Sequence, residues 1–204
     1  MLNVQRLGVV AYPEAHDLMK DLQRQRINGD IPDTILLLEH PEVVTVGPRA
    51  RNDGLTPPSD YPMHNVDRGG GLTWHGPGQV VCYPIVKWGG RASETSVAEI
   101  INIIEGWVVD SLSAFDIVGS RDERMQGVWV DGRKICSIGL SFLRWVSRHG
   151  FTVNLSTPPG RVEGVAGCGL SEDTTTSLSA LGYDVEAAAF VEVLLSTAQR
   201  HLLV

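Results

Sequence analysis

One glycine-rich segment, residues 68–79, combines permissive backbone with three side chains that can do chemistry. It reads Arg-Gly-Gly-Gly-Leu-Thr-Trp-His-Gly-Pro-Gly-Gln, so six of its twelve residues are glycine or proline. Glycines at this density let a backbone approach a ligand closely and point its N–H groups at an acceptor. Arg68 adds a fixed cation, His75 an imidazole and Gln79 an amide. We therefore predict a ligand-binding loop rather than a core-filling segment, which favours an enzyme.

Cys168 and Lys134 are candidates for a nucleophile and its activating group. Cys168 lies between two glycines, so its thiol is sterically open, although free cysteines are also commonly small buried hydrophobes. Lys134 opens an apolar run in a chain with three lysines and fourteen arginines. A lysine can lose its proton and an arginine cannot, which suits a chemical role for Lys134. The alternative interpretation is that Lys134 is a solvated surface residue after a turn. If the two side chains meet, the ammonium form of Lys134 raises the fraction of Cys168 that is thiolate. The neutral form of Lys134 can then accept a proton from an amine substrate.

The other titratable residues give weaker signals. His75 can donate to a substrate carbonyl or serve as a structural hydrogen-bonding group. The remaining histidines show no HExxH-like spacing, so we expect no metal ligands among them: His16, His40, His64, His149 and His201. The chain has no GxxxxGK[ST] or GxGxxG phosphate-binding motif, and we expect no cofactor. Cys82 and Cys136 lie in apolar strand patterns and are predicted to be core residues.

Short strands and amphipathic helices must position these groups. Strand patterns occupy residues 7–10, 35–38, 43–46, 80–86, 127–130, 133–140 and 151–155. Helices are predicted after Pro13, after a capping pair formed by Ser96 and Glu99, and from a cap at Asp184 to about residue 202. The dipeptide Asp131-Gly132 predicts a two-residue hairpin. We expect one domain over residues 1–204, with an α/β (α+β) fold built from a mixed β-sheet and packed helices.

Composition limits the function classes. A net charge of −7 argues against a nucleic-acid partner, and 43% hydrophobic residues over 204 positions suffice for one sizeable core. No signal sequence or membrane-spanning run is legible, so we expect no membrane association. Three cysteines without CxxC spacing favour neither a disulfide framework nor a zinc knuckle. We expect a cytoplasmic protein.

The ordered motifs resemble those of the lipoyl(octanoyl) transferase family over nearly the whole chain. They are LLLEHP at 36–41, RGG at 68–70, TWHGPGQ at 73–79, GVWVDGRKI at 127–135, HGF at 149–151 and CG at 168–169. The HGPGQ motif, followed in order by Lys134, the HGF motif and the CG motif, is specific for this family as a combination. Gly167 stands where the family usually has proline.

The resemblance implies the fold of lipoate- and biotin-protein ligases. It implies that Cys168 takes octanoate from acyl carrier protein as a thioester, and that Lys134 lowers the pKa of that cysteine and helps to deprotonate the acceptor. The acceptor would be a lysine ε-amine on a lipoyl domain of a 2-oxoacid dehydrogenase or on the glycine cleavage H protein. The substrate pocket would be lined by Arg68, Gly69, Gly70, Gly71, Leu72, Thr73, Trp74, His75, Ser137, Ile138, Gly139, Gly150, Phe151 and Thr152.

Two alternatives remain open. An ATP-dependent lipoate- or octanoate-protein ligase of the same fold would use the lysine to hold an acyl-adenylate. A relative that binds the acyl carrier without catalysis would need neither Lys134 nor Cys168. The HGPGQ motif and the placement of Cys168 favour the transferase.

Overall fold

A mixed six-stranded sheet organises the structure, a computed structural model that describes residues 2–52, 60–90, 94, 96–165 and 174–202. Its strand order is β1-β2-β6-β9-β8-β7, with β1 parallel to β2 and the other neighbours antiparallel. A second sheet has the order β4-β3-β5. The strands are β1 (Asn3–Val9), β2 (Thr34–Glu39), β3 (Val43–Val46), β4 (Met63–Asn65), β5 (Leu72–His75), β6 (Gln79–Ile85), β7 (Val128–Val130), β8 (Arg133–Leu143) and β9 (Val146–Asn154).

Four α-helices accompany the sheets in the described part of the chain. They are α1 (Tyr12–Asn28), α2 (Pro48–Asn52), α3 (Val97–Ser113) and α4 (Ala187–Leu202). The large sheet is covered by α1 on one face and by α3 with α4 on the other. Because side chains alternate along a strand, Leu36 and Leu38 of β2 pack with α1, whereas Ile35 and Leu37 pack with α3 and α4. A strand covered on both faces reads as a continuous apolar run, as β2 does. None of the described helices combines the length and apolarity that a membrane span requires.

Several local predictions are confirmed. The hydroxyl of Ser96 accepts the backbone N–H of Glu99 and caps α3. Asp131 and Gly132 both have positive φ angles, 49° and 73°, as a two-residue hairpin turn requires. Cys82 and Cys136 are fully buried.

Other predictions are wrong. The glycine-rich segment does contribute to a core, because β5 lies inside it and Trp74, only 2% exposed, packs with Val44 and Val162. The cap of α4 is also misplaced. The Glu186 carboxylate, rather than Asp184, accepts the first free N–H groups of that helix, those of Ala188 and Ala189.

Gly150 shows how tightly the central strands are packed. A Cβ at this position would overlap the carbonyl oxygen of Cys82 and lie 2.6 Å from Cδ of Pro84. We expect Gly150→Ala to lower the free energy of unfolding by about 2 kcal/mol, since overpacking forces the strands apart. Urea unfolding would measure this change. The control is Gly90→Ala, whose Cβ meets no atom within 4 Å among the residues that the structure describes. Equal effects of the two substitutions would contradict the expectation.

Candidate active site

The glycine-rich segment and β8 both line a cavity of about 760 Å3. Ten of the fourteen predicted substrate-binding residues line it: Arg68, Gly69, Gly70, Gly71, Leu72, Thr73, Trp74, Ser137, Ile138 and Gly139. Lys134 lines the same cavity, together with apolar side chains that include Ile101, Leu140, Val162 and Val165. This volume is typical of a small-molecule site. Its lining is part polar and part apolar, and the apolar side chains can pack against an aliphatic chain.

Arg68 holds the first wall of the cavity in shape. Its side chain is 7% exposed, and Nη1 donates to the carbonyl of Gly69 at 2.9 Å. Its Nη2 lies within hydrogen-bonding distance of the Thr45 hydroxyl, the Gly71 carbonyl and the Thr73 hydroxyl, at 2.8, 3.1 and 2.8 Å. These contacts place the guanidinium between β3, β5 and the glycine turn. The predicted fixed cation therefore organises the backbone of the segment.

The glycine turn lies directly against β8. The N–H of Gly69 donates to the carbonyl of Leu140 at 2.9 Å. A Cβ on Gly139 would lie 2.8 Å from Cδ of Arg68 and 2.9 Å from the Gly69 carbonyl oxygen. Gly139 is therefore required for this close approach as well as for lining the cavity.

Lys134 is a buried amine at the start of β8. It is 5% exposed, and the pKa of Lys134 is lowered to about 8, mainly by burial and in part by the Arg68 cation. Its backbone N–H donates to the carbonyl of Thr174, and its carbonyl accepts the N–H of Thr176, both at 2.9 Å. An amine with this pKa is mostly ammonium at pH 7 but releases its proton easily, as a proton-transfer group must.

Cys168 and Gly167 lie outside the described residues. Val165, which precedes the undescribed stretch, and Thr175, the second described residue after it, both line the cavity with Lys134. The prediction that Cys168 and Lys134 meet stays a prediction.

A second, smaller space of about 20 Å3 is lined by the other four predicted residues: His75, Gly150, Phe151 and Thr152. Ser137, Ile138 and Gly139 border both spaces, so the predicted residues surround two adjoining spaces. The smaller one has room for about one water molecule. Within the described part of the chain, the buried hydroxyl of Thr152 has no hydrogen-bond partner, and such a water would supply one.

His75 belongs to a buried polar network. Gln79 donates from Nε2 to the Trp74 carbonyl at 3.0 Å and to Oδ1 of Asn154 at 2.8 Å. Its Oε1 therefore accepts from Nδ1 of His75, at 3.0 Å, while Nε2 of His75 faces the Thr45 hydroxyl at 3.2 Å. Burial keeps the pKa of His75 well below its usual value, so the ring is neutral and both nitrogens bond to protein groups.

Sequence reasoning missed the structural role of Asn154. Its Nδ2 donates to the carbonyl of Thr176 at 2.9 Å, which connects the His75 network to the stretch that pairs with Lys134. Gln79 and Asn154 are 75 residues apart, so spacing could not pair them. The motif resemblance contains Gln79, and it also contains Asn154 with Leu155 after the HGF motif, but it gave neither residue a structural role.

Sequence comparison identifies close relatives. The family model for the lipoyl protein ligase A/B catalytic domain matches residues 11–199. An octanoyltransferase from Rubrobacter xylanophilus is 38% identical over 197 residues, covering 92% of this chain and 87% of that protein. An octanoyltransferase from Syntrophobacter fumaroxidans is 40% identical over 189 residues, covering 89% of this chain and 82% of that protein.

Solved structures share the fold. A putative lipoate protein ligase from T. acidophilum with bound lipoic acid superimposes with a TM-score of 0.71 at 12% identity, covering 98% of this chain and 85% of that chain. The biotin protein ligase from Aquifex aeolicus gives a TM-score of 0.56 at 11% identity, covering 98% of this chain and 68% of that chain. The predicted mixed-sheet fold of lipoate- and biotin-protein ligases is thereby confirmed. The extent of the family match and the identity to these relatives show that the chain belongs to the lipoyl protein ligase A/B catalytic-domain family, with the octanoyltransferases.

Proposed function

We propose that this chain moves an octanoyl group from acyl carrier protein to a lysine ε-amine through a thioester on Cys168. The family supports octanoyl transfer in lipoate biosynthesis. The observation that carries the mechanism is Lys134, a buried amine with a pKa near 8 that lines the cavity beside the glycine-rich segment. The acceptors in this proposal are lipoyl domains of 2-oxoacid dehydrogenases and the glycine cleavage H protein. The cytoplasmic location expected from the sequence is part of the same proposal.

The first half-reaction transfers the acyl group to the enzyme. The Cys168 thiolate attacks the carbonyl carbon of the carrier thioester, a new C–S bond forms, and the carrier thiolate leaves and takes up a proton. The ammonium of Lys134 favours the attacking thiolate electrostatically. Described residues on both sides of Cys168 line the cavity with Lys134, which supports this pairing.

The second half-reaction transfers the acyl group to the acceptor. The acceptor amine attacks the Cys168 thioester, neutral Lys134 removes its proton, and the cysteine thiolate departs as the amide forms. A thioester is already activated, so neither half requires ATP. The octanoyl chain would pack along apolar side chains such as Leu72, Ile138 and Val162.

The first test is the mass of the purified chain after incubation with octanoyl-acyl carrier protein and no ATP. We expect one octanoyl adduct that hydroxylamine removes and that Cys168→Ser abolishes, since only a thioester is cleaved so readily. Cys82→Ser is the control and keeps the adduct, because the Cys82 thiol is buried in the core. Transfer that requires ATP, without an adduct, would favour the ligase; no adduct and no transfer would favour a carrier-binding relative.

The second test is the pH dependence of the second half-reaction. Octanoyl-enzyme mixed with a lipoyl domain should transfer faster as pH rises, with a plateau above an apparent pKa of about 8, as Lys134 loses its proton. Lys134→Arg keeps the cation but cannot act as a base, so we expect about 100-fold slower transfer and no inflection near pH 8. Single-turnover rates would measure both. The same inflection in Lys134→Arg would assign the proton transfer to another group.

A further inference from the structure

We propose that His16, Asp67 and His149 form a binding site for a zinc-type divalent transition-metal ion, independent of the proposed acyl transfer. Each residue offers one ligand atom, and these atoms all lie within 4.8 Å of one another. His16 belongs to α1, His149 to β9, and Asp67 to the connection between β4 and β5. Three elements distant in sequence thus converge on one point, which explains why histidine spacing did not indicate a site.

The distances are close to those of a coordination sphere. Nε2 of His149 lies 2.9 Å from Oδ1 of Asp67, and Nε2 of His16 lies 4.0 Å from the same oxygen. Ligands of a tetrahedral zinc ion are about 3.4 Å apart, given bond lengths of roughly 2.0–2.2 Å. A movement of about 1 Å by His16 and the Asp67 side chain would therefore complete three bonds to one ion.

An unpartnered nitrogen points independently to a missing ligand. Nε2 of His16 is buried and has no hydrogen-bond partner among the residues that the structure describes. A buried polar atom without a partner is costly, and native structures normally supply one. A metal ion between His16, Asp67 and His149 would use this lone pair.

The surroundings of His149 suit a metal ligand. Its Nδ1 lies 3.3 Å from the hydroxyl of Tyr12. A histidine that binds a metal through Nε2 carries its proton on Nδ1 and commonly donates it to a neighbouring oxygen, and Tyr12 offers that oxygen. Metal binding then moves the ring proton from the Asp67 side to the Tyr12 side, with no change in ring charge.

Charge and exposure define the kind of ion. Arg148 pairs with Oδ2 of Asp67, which leaves Oδ1 as a single ligand oxygen and reduces the attraction for a cation. Asp67 is about half exposed, so solvent can reach the fourth position. Two imidazoles and one carboxylate suit Zn²⁺ or Co²⁺, whereas Mg²⁺ prefers an octahedral shell of oxygens.

The test is direct metal binding to the metal-stripped full chain. Calorimetric titration with Zn²⁺ should show one ion per chain, Co²⁺ should give visible d–d absorption without a thiolate charge-transfer band, and Mg²⁺ should not bind. His16→Gln and Asp67→Asn should each weaken Zn²⁺ binding at least about 10-fold, since each removes one ligand. His201→Gln is the matched control, because His201 also lies 2.9 Å from a carboxylate, that of Asp110, outside any three-ligand group of the described residues.

Three outcomes would overturn the proposal: no Zn²⁺ binding by the wild-type chain, unchanged affinity in both ligand variants, or loss of binding in Cys168→Ser. The last would assign the ion to a thiolate. Circular dichroism of both variants checks their fold, and the Co²⁺ spectrum of the wild-type chain reports the ligand type without any substitution. None of these readouts depends on acyl transfer, so this proposal and the proposed function can fail separately.

Discussion

The guanidinium of Arg68 cross-links β3, the glycine turn and β5 through hydrogen bonds. Its contacts reach Thr45 on β3, the carbonyls of Gly69 and Gly71, and Thr73 on β5. Burying a cation costs several kcal/mol unless its donors are satisfied, and the planar fork of an arginine satisfies several acceptors at fixed angles. The glycine turn, its contact with β8 and hence one wall of the cavity all follow from this arrangement.

Arg68 also contributes to the lowered pKa of Lys134. Lys134 lines the same cavity and shares its low exposure, but only the lysine can give up a proton at accessible pH. Burial is the larger cause of the low pKa of Lys134, and the nearby arginine adds to it. The two cations therefore serve different purposes in this site, with Arg68 shaping it and Lys134 available for proton transfer.

The sequence predicted what local rules control. The α3 cap at Ser96, the Asp131-Gly132 turn and the burial of Cys82 and Cys136 all depend on neighbouring residues or on a short apolar pattern. The error at Asp184 has the same local origin, since a second acidic residue, Glu186, lies closer to the helix and was overlooked.

Contacts between residues distant in sequence account for the structural features that the sequence did not predict. The strand Leu72–His75 contains no apolar alternation long enough to recognise, and it forms because β3 lies beside it. The motif resemblance brought the pocket residues together, but it could not show that they surround two adjoining spaces or that Gln79 bonds to Asn154. Such contacts depend on how sheets and helices stack, which residue spacing does not encode.

The glycines at the close approaches constrain how this site can diverge. Any side chain on Gly139 meets Arg68 and the Gly69 carbonyl, and any side chain on Gly47 meets the Gly70 carbonyl, so single substitutions cannot reshape that wall. Other parts of the lining consist of ordinary side chains, including Ile101 of α3 and Val162. Descendants of this chain with a preference for longer or shorter acyl groups would therefore differ at those side chains, whereas the glycines of the close approaches would stay unchanged.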